Sequence, residues 1–184
     1  MRATLLSILV VGAATASAAT AQVGVFGAFE PRTAYSSSAG AVLGHSWVLG
    51  VTVPVAEAWK LEVSAKLDEF EYGVGLPEQE GRSDHAEVLV QRTLLTRDRW
   101  SLGGGLGVRY GIYDRVDFAT GVDGVSVPNG HRSTDFWAAT AAVTGELAAT
   151  EHLSLRFDAR VAPLDLQGEA PARTAVTAGM AFRF

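Results

Sequence analysis

The chain has 184 residues, no cysteine and a formal net charge of −5. Disulfides and thiolate metal sites are therefore excluded, and an acidic chain with no basic stripe is not built for nucleic acid. One domain is expected at this length, and a charged fraction of 19%, against roughly 25% in an ordinary domain, makes the chain unusually apolar.

The only continuous apolar run is at the start, MRATLLSILVVGAATASAATAQ. Arg2 supplies a short positive region, Leu5 to Ala14 an apolar one, and Ala19-Thr20-Ala21 a small-residue cleavage pattern. Residues 1–21 are predicted to be a cleaved secretory signal peptide. A transmembrane helix is the weaker alternative, because about 18 apolar residues are needed and no stop-transfer flank follows. Residues 22–184 form the predicted domain.

From there the chain is written in period two. In WKLEVSAKLD, Trp59, Leu61, Val63, Ala65 and Leu67 share one parity, while Lys60, Glu62, Ser64, Lys66 and Asp68 share the other. Strand side chains alternate between faces, so this is a strand with one apolar and one charged face. Eight such strands are predicted, over about 22–30, 41–53, 59–69, 86–95, 100–113, 134–147, 152–162 and 173–184. Phe26 and Phe29 fall on opposite parities of the first. In the fourth, Glu87 and Arg92 oppose each other in parity, which calls for a bulge or for an arginine that snorkels at a membrane edge.

The connections alternate in length. Residues 54–58, 96–99 and 149–151 are short; residues 31–40, 70–85, 114–133 and 163–172 are long and carry turn formers such as Pro128-Asn129-Gly130. All long loops then lie at one end of an up-and-down sheet, and closure into an antiparallel eight-stranded barrel removes both edges.

Alternation alone does not say which face is inside. A soluble lipocalin-like barrel puts the apolar face inward, and a membrane barrel reverses it. Aromatics favour the membrane. Trp59 and Trp100 open strands after short turns, and Phe182 and Phe184 close the last one, whereas Tyr72, Tyr113 and Trp137 lie toward the long loops. Two interfacial girdles follow. Gly103, Gly105 and Gly107 on the polar face are expected to leave room for long lumen side chains. That face collects Lys60, Glu62, Lys66, Asp68, Glu87, Arg109, Glu146, Arg156, Asp158, Arg160 and Arg183, with both signs near balance. Eight strands enclose just enough space for side chains, so a filled lumen with an ion-pair network is expected, with a narrow channel as the alternative.

No catalytic constellation is visible. His45 and Ser46 are adjacent, and adjacent strand residues face opposite sides. GGGLG lacks the spacing of a phosphate loop, and Asp114, Asp117 and Asp123 miss the calcium-loop spacing. No cofactor and no metal site are predicted.

The chain ends VTAGMAFRF, with Val176, Ala178, Met180, Phe182 and Phe184 at alternate positions. This resembles the C-terminal signature of bacterial outer-membrane barrels, a terminal aromatic strand read by the outer-membrane assembly machinery. Together with the signal peptide and eight strands, the whole mature chain resembles the small outer-membrane barrels of the OmpA-transmembrane-domain and OmpX kind. The resemblance implies a monomer in the outer membrane of a Gram-negative cell. Both termini would be periplasmic, the long loops outside, and lipid, lipopolysaccharide and the assembly machinery its partners. It implies a structural or surface-interaction role. The enzymatic alternative is a lipid A-modifying barrel, whose usual His-x-Ser spacing is absent here.

Overall fold

A computed structural model describes residues 23–37, 40–72, 79–120, 126–162 and 172–184. The predicted signal peptide and the centres of the four long connections lie outside the described residues. Eight antiparallel strands run β1 (Gly24–Ser37), β2 (Gly40–Ala56), β3 (Trp59–Tyr72), β4 (Gln79–Arg97), β5 (Trp100–Thr120), β6 (Ser126–Ala148), β7 (Leu153–Ala162) and β8 (Ala172–Arg183). Each pairs with the next, and β8 pairs with β1, so the sheet closes. Between strands, the short connections are residues 57–58, 98–99 and 149–152. Asp98 takes a positive φ of 49°, which Asp tolerates better than most residues. The start of β1 and the end of β8 meet at this short-turn rim, where the Phe184 N–H donates to the Val23 carbonyl at 3.1 Å.

Much of what the sequence assigns to long loops is strand. β1 continues through Pro31 to Ser37, β4 begins at Gln79, β5 reaches Thr120 and β6 begins at Ser126. Pro31 lacks a ladder donor, and the register slips around it, between Glu30 and Thr33 against β2. Pro128-Asn129-Gly130 is likewise not a turn. Gly130 pairs with Asp117 and Pro128 with Phe118, which leaves Asn129 as the extra residue of a bulge. β5 and β6 reach 21 and 23 residues, whereas a tilted membrane-crossing strand needs roughly 9–11. The barrel wall is therefore tall on the β5–β6 side and low at β7, which has 10 residues.

The side chains divide as a membrane barrel divides them. Trp47, Leu49, Val90, Leu106, Val143, Phe157, Val176 and Met180 are exposed on the outer face, Leu106 by 71%. Charged and polar groups fill the inside, with Glu62 fully buried. A soluble barrel with an apolar interior is thereby excluded. β1 alternates without a break as far as Glu30: Phe26 points inward and Phe29 outward. In β4, Glu87 is buried and Arg92 exposed, so no bulge separates them. The β4 bulge comes later, at Leu94, between Thr93 and Leu95.

Candidate functional site in the barrel lumen

Strand parity delivers the lumen charges. β3 contributes Glu62, β4 contributes Glu87 and Gln91, β6 contributes Thr144 and Glu146, and β7 contributes Arg156, Asp158 and Arg160. Glu62 is the hub. Its Oε2 accepts from Arg156 Nη2 at 2.6 Å and from Gln91 Nε2 at 2.9 Å, and its Oε1 accepts from Arg160 Nη2 at 2.6 Å. Arg156 also grips Asp158 through Nε and Nη2, both at 2.8 Å. Asp158 accepts further bonds from Thr144 at 2.6 Å and Thr177 at 3.3 Å. Arg160 adds a pair with Glu87. The Arg156 guanidinium lies 3.9 Å from the centre of the Phe26 ring, a cation–π contact that closes the layer from β1.

Three more pairs flank this layer. Lys66 pairs with Glu30, both buried. Nearer the short turns, Glu146 holds Lys60 at 3.4 Å and also Arg183. Arg109 is buried with its guanidinium 5.2 Å from the Phe136 ring centre, and His85 lies edge-on to the same ring. Below the Lys60–Glu146–Arg183 group a vestibule of about 260 Å³ opens at the short-turn rim. A second void, of about 10 Å³, lies beside Gln91 and Thr144, room for about one water. The Glu62–Arg156–Arg160 layer crosses the middle of the described lumen.

The outer face carries aromatics at two levels. Trp59, Trp100, Phe182 and Phe184 are exposed near the short turns. Phe29 packs on Trp47 with ring centres 4.8 Å apart, and Tyr110 on Trp137 at 4.6 Å, nearer the other end. Trp100 and Tyr110 stand ten positions apart on β5. That is about 34 Å along a strand, or about 25 Å along the axis at the usual tilt, the height of the apolar band of a membrane barrel.

Solved structures share this architecture. The attachment invasion locus protein Ail of Yersinia pestis, solved with the heparin analogue sucrose octasulfate, aligns at TM-score 0.61 and 10% identity. That alignment covers 89% of this chain and 99% of Ail. OprG of Pseudomonas aeruginosa aligns at TM-score 0.58 and 13% identity, over 89% and 96%. Neisserial surface protein A aligns at 0.54 and 12%, over 90% and 98%. The chain has the fold of the small outer-membrane β-barrels. No protein-family model and no curated protein matches it.

In this barrel the predicted lumen residues Lys60, Glu62, Lys66, Glu146, Arg156, Asp158, Arg160 and Arg183 come together as described, and Glu87 joins through Arg160. The side chains of Asp68, Tyr72 and Tyr113 lie outside the described residues. Sequence reasoning missed Glu30, Phe26, Gln91 and His85 in the lumen, and Phe29, Trp47 and Tyr110 among the outer aromatics. The parity of Gly24, Phe26 and Ala28 already pointed Glu30 inward. Gly107 plays a different part from the one expected: a Cβ there would strike the Val88 carbonyl oxygen and Leu89, so it admits the curved backbone of β4. At Gly105 a Cβ would lie 2.7 Å from Gln91 Cγ and also meet the Val90 carbonyl oxygen, so this glycine makes room both for a long lumen side chain, as expected, and for the β4 backbone. His45 is exposed and Ser46 buried, on opposite faces of β2, so they form no nucleophile–base pair.

Proposed function

We propose that this is a non-enzymatic outer-membrane barrel with a plugged lumen, a monomer that acts at the cell surface through its tall β4–β6 wall. The inside-out distribution of polarity carries the reading: apolar residues cover the outer face, and ion pairs fill the inner one. Residues 1–21 act as the signal peptide, both termini lie in the periplasm, and lipid and lipopolysaccharide surround the wall. Trp59 and Trp100 on one side and Trp137 on the other anchor it at the interfaces. Above the membrane the wall presents Asn129, His131, Arg132 and Asp135 to solvent. Such a surface suits adhesion or host-factor binding.

Fractionation with gel migration before and after boiling tests the placement. The expected result is a membrane-bound chain whose mobility shifts on heating. A chain soluble in the periplasm with no shift would sink it. In planar bilayers the pure protein should give no large, stable openings, because the Glu62–Arg156–Arg160 layer closes the lumen. Steady nanosiemens-scale currents would favour the channel alternative.

The terminal strand gives a sharper prediction. Val176, Met180, Phe182 and Phe184 all face outward, and Phe184 is 69% exposed. We propose that they are the signal read by the assembly machinery. Deleting Phe184 removes at most about 1.5–3 kcal/mol of burial, yet folded barrel in cells should fall severalfold. Refolding of the same variant into lipid vesicles should be close to normal. Unchanged levels in cells would count against an assembly signal.

A further inference from the structure

The lower outer face carries an unpaired cationic patch that the lumen network does not explain. Arg92 of β4 faces outward with its guanidinium 5.6 Å from the Trp59 ring centre. Arg97, also exposed, stands directly opposite Trp100, so the two share a face. Arg99 follows in the β4–β5 turn beside Asp98. Opposite Arg92 lies Gly104, which adds no side chain and is approached by the exposed Leu94 side chain.

Every described lumen carboxylate holds a base. Among the described residues, no carboxylate pairs with Arg92, Arg97 or Arg99. The remaining charges near this rim are elsewhere: Glu57 in the β2–β3 turn, Glu151 and His152 in the β6–β7 turn, and Lys60 and Arg183 inside with Glu146. Three arginines therefore project from one hairpin, at the level of the lower tryptophans. A charge facing lipid is costly at mid-membrane and nearly free at the interface. There it finds lipid phosphates, which guanidinium groups grip with two parallel bonds.

We propose that Arg92 and Arg97, framed by Trp59 and Trp100, bind the headgroup phosphate of an anionic glycerophospholipid in the periplasmic leaflet. The inference rests on the membrane placement proposed above. The two guanidinium groups hold the phosphate, the indole N–H groups reach the ester carbonyls, and the acyl chain lies against the exposed Leu94 and Leu106 side chains.

Tryptophan quenching tests it. With Trp47 and Trp137 replaced by phenylalanine, emission comes from Trp59 and Trp100 alone. The barrel is placed in vesicles containing phosphatidylglycerol or phosphatidylcholine with brominated chains. Brominated phosphatidylglycerol should occupy the site about fivefold better than brominated phosphatidylcholine, since each basic side chain near the surface favours anionic lipid. R92Q/R97Q should bring the two lipids close to parity, and R92K/R97K should retain most of the preference. Equal quenching by both lipids before any arginine is changed would overturn the site, as would an unaltered preference in R92Q/R97Q. Absence of quenching by either lipid, with no heat-dependent gel shift, would overturn the membrane placement on which the site depends.

Discussion

Replacing Glu62 with alanine should cost the folded barrel at least about 3 kcal/mol, because it strips one acceptor from two buried arginines at once. Arg156 keeps Asp158 and Arg160 keeps Glu87, but each loses a 2.6 Å bond, and Gln91 loses its 2.9 Å partner. Charge still balances, two arginines against Asp158 and Glu87, but buried N–H groups of Arg156, Arg160 and Gln91 are left without their acceptor, at about 1–3 kcal/mol for each donor left unsatisfied. Urea unfolding in lipid vesicles, followed by gel mobility, gives the measurement. A midpoint within error of wild type would show that the layer is not a coupled network.

Lys60→Met is the matched contrast. It removes a single 3.4 Å pair near the vestibule, where Lys60 is partly open to water and Glu146 keeps Arg183. With Lys60 partly open to water and Glu146 still holding Arg183, no charge is left without a partner, so this change should cost no more than about 1 kcal/mol. A large effect at Glu62 with a small one at Lys60 would locate the barrel's electrostatic cohesion in its dry middle layer. It would also explain why Phe26 is the aromatic turned inward on β1. A ring stacked on Arg156 covers a charge that has no further acceptor on that side.

The strand count, their order and the polarity of the barrel were legible in the sequence, because the membrane-facing rows require alternation. WKLEVSAKLD and LSLRFDARV carry that requirement undiluted. Strand ends toward the long connections were not legible. There both faces meet water, alternation lapses, and the backbone ladder continues regardless, as it does from Asp114 to Thr120 and from Ser126 to Ser133. Proline misled for a related reason, since a bulge absorbs Pro31 without ending β1. Parity showed which charges face the lumen. It could not show that Glu62 meets Arg156, 94 residues away, because barrel stagger sets that pairing and one sequence does not reveal stagger.

Stagger and curvature also decide the glycines of β5, and here two neighbouring positions should respond with opposite signs. At Gly107 an added Cβ would run into the Val88 carbonyl oxygen and lie 2.8 Å from the Leu89 Cα. Both are backbone atoms of the adjacent strand, so no rotamer change relieves the overlap. β4 and β5 would have to flatten where the barrel must curve. Gly107→Ala should therefore cost about 1–3 kcal/mol, as overpacking does, and lower the heating temperature at which the folded gel band disappears. At Gly104, on the outer face, the nearest atom to an added Cβ is Leu94 Cδ1 at 3.4 Å, the end of an exposed side chain. Gly104→Ala meets ordinary contact there and restricts the unfolded chain, so it should be neutral or stabilise by about 0.4–1 kcal/mol. If both substitutions destabilise alike, glycine serves β5 through backbone freedom alone. If only Gly107→Ala does, the close approach of β4 is what demands glycine, and the tight closure of this eight-stranded wall is written in the inward row Gly105, Gly107 and Gly111.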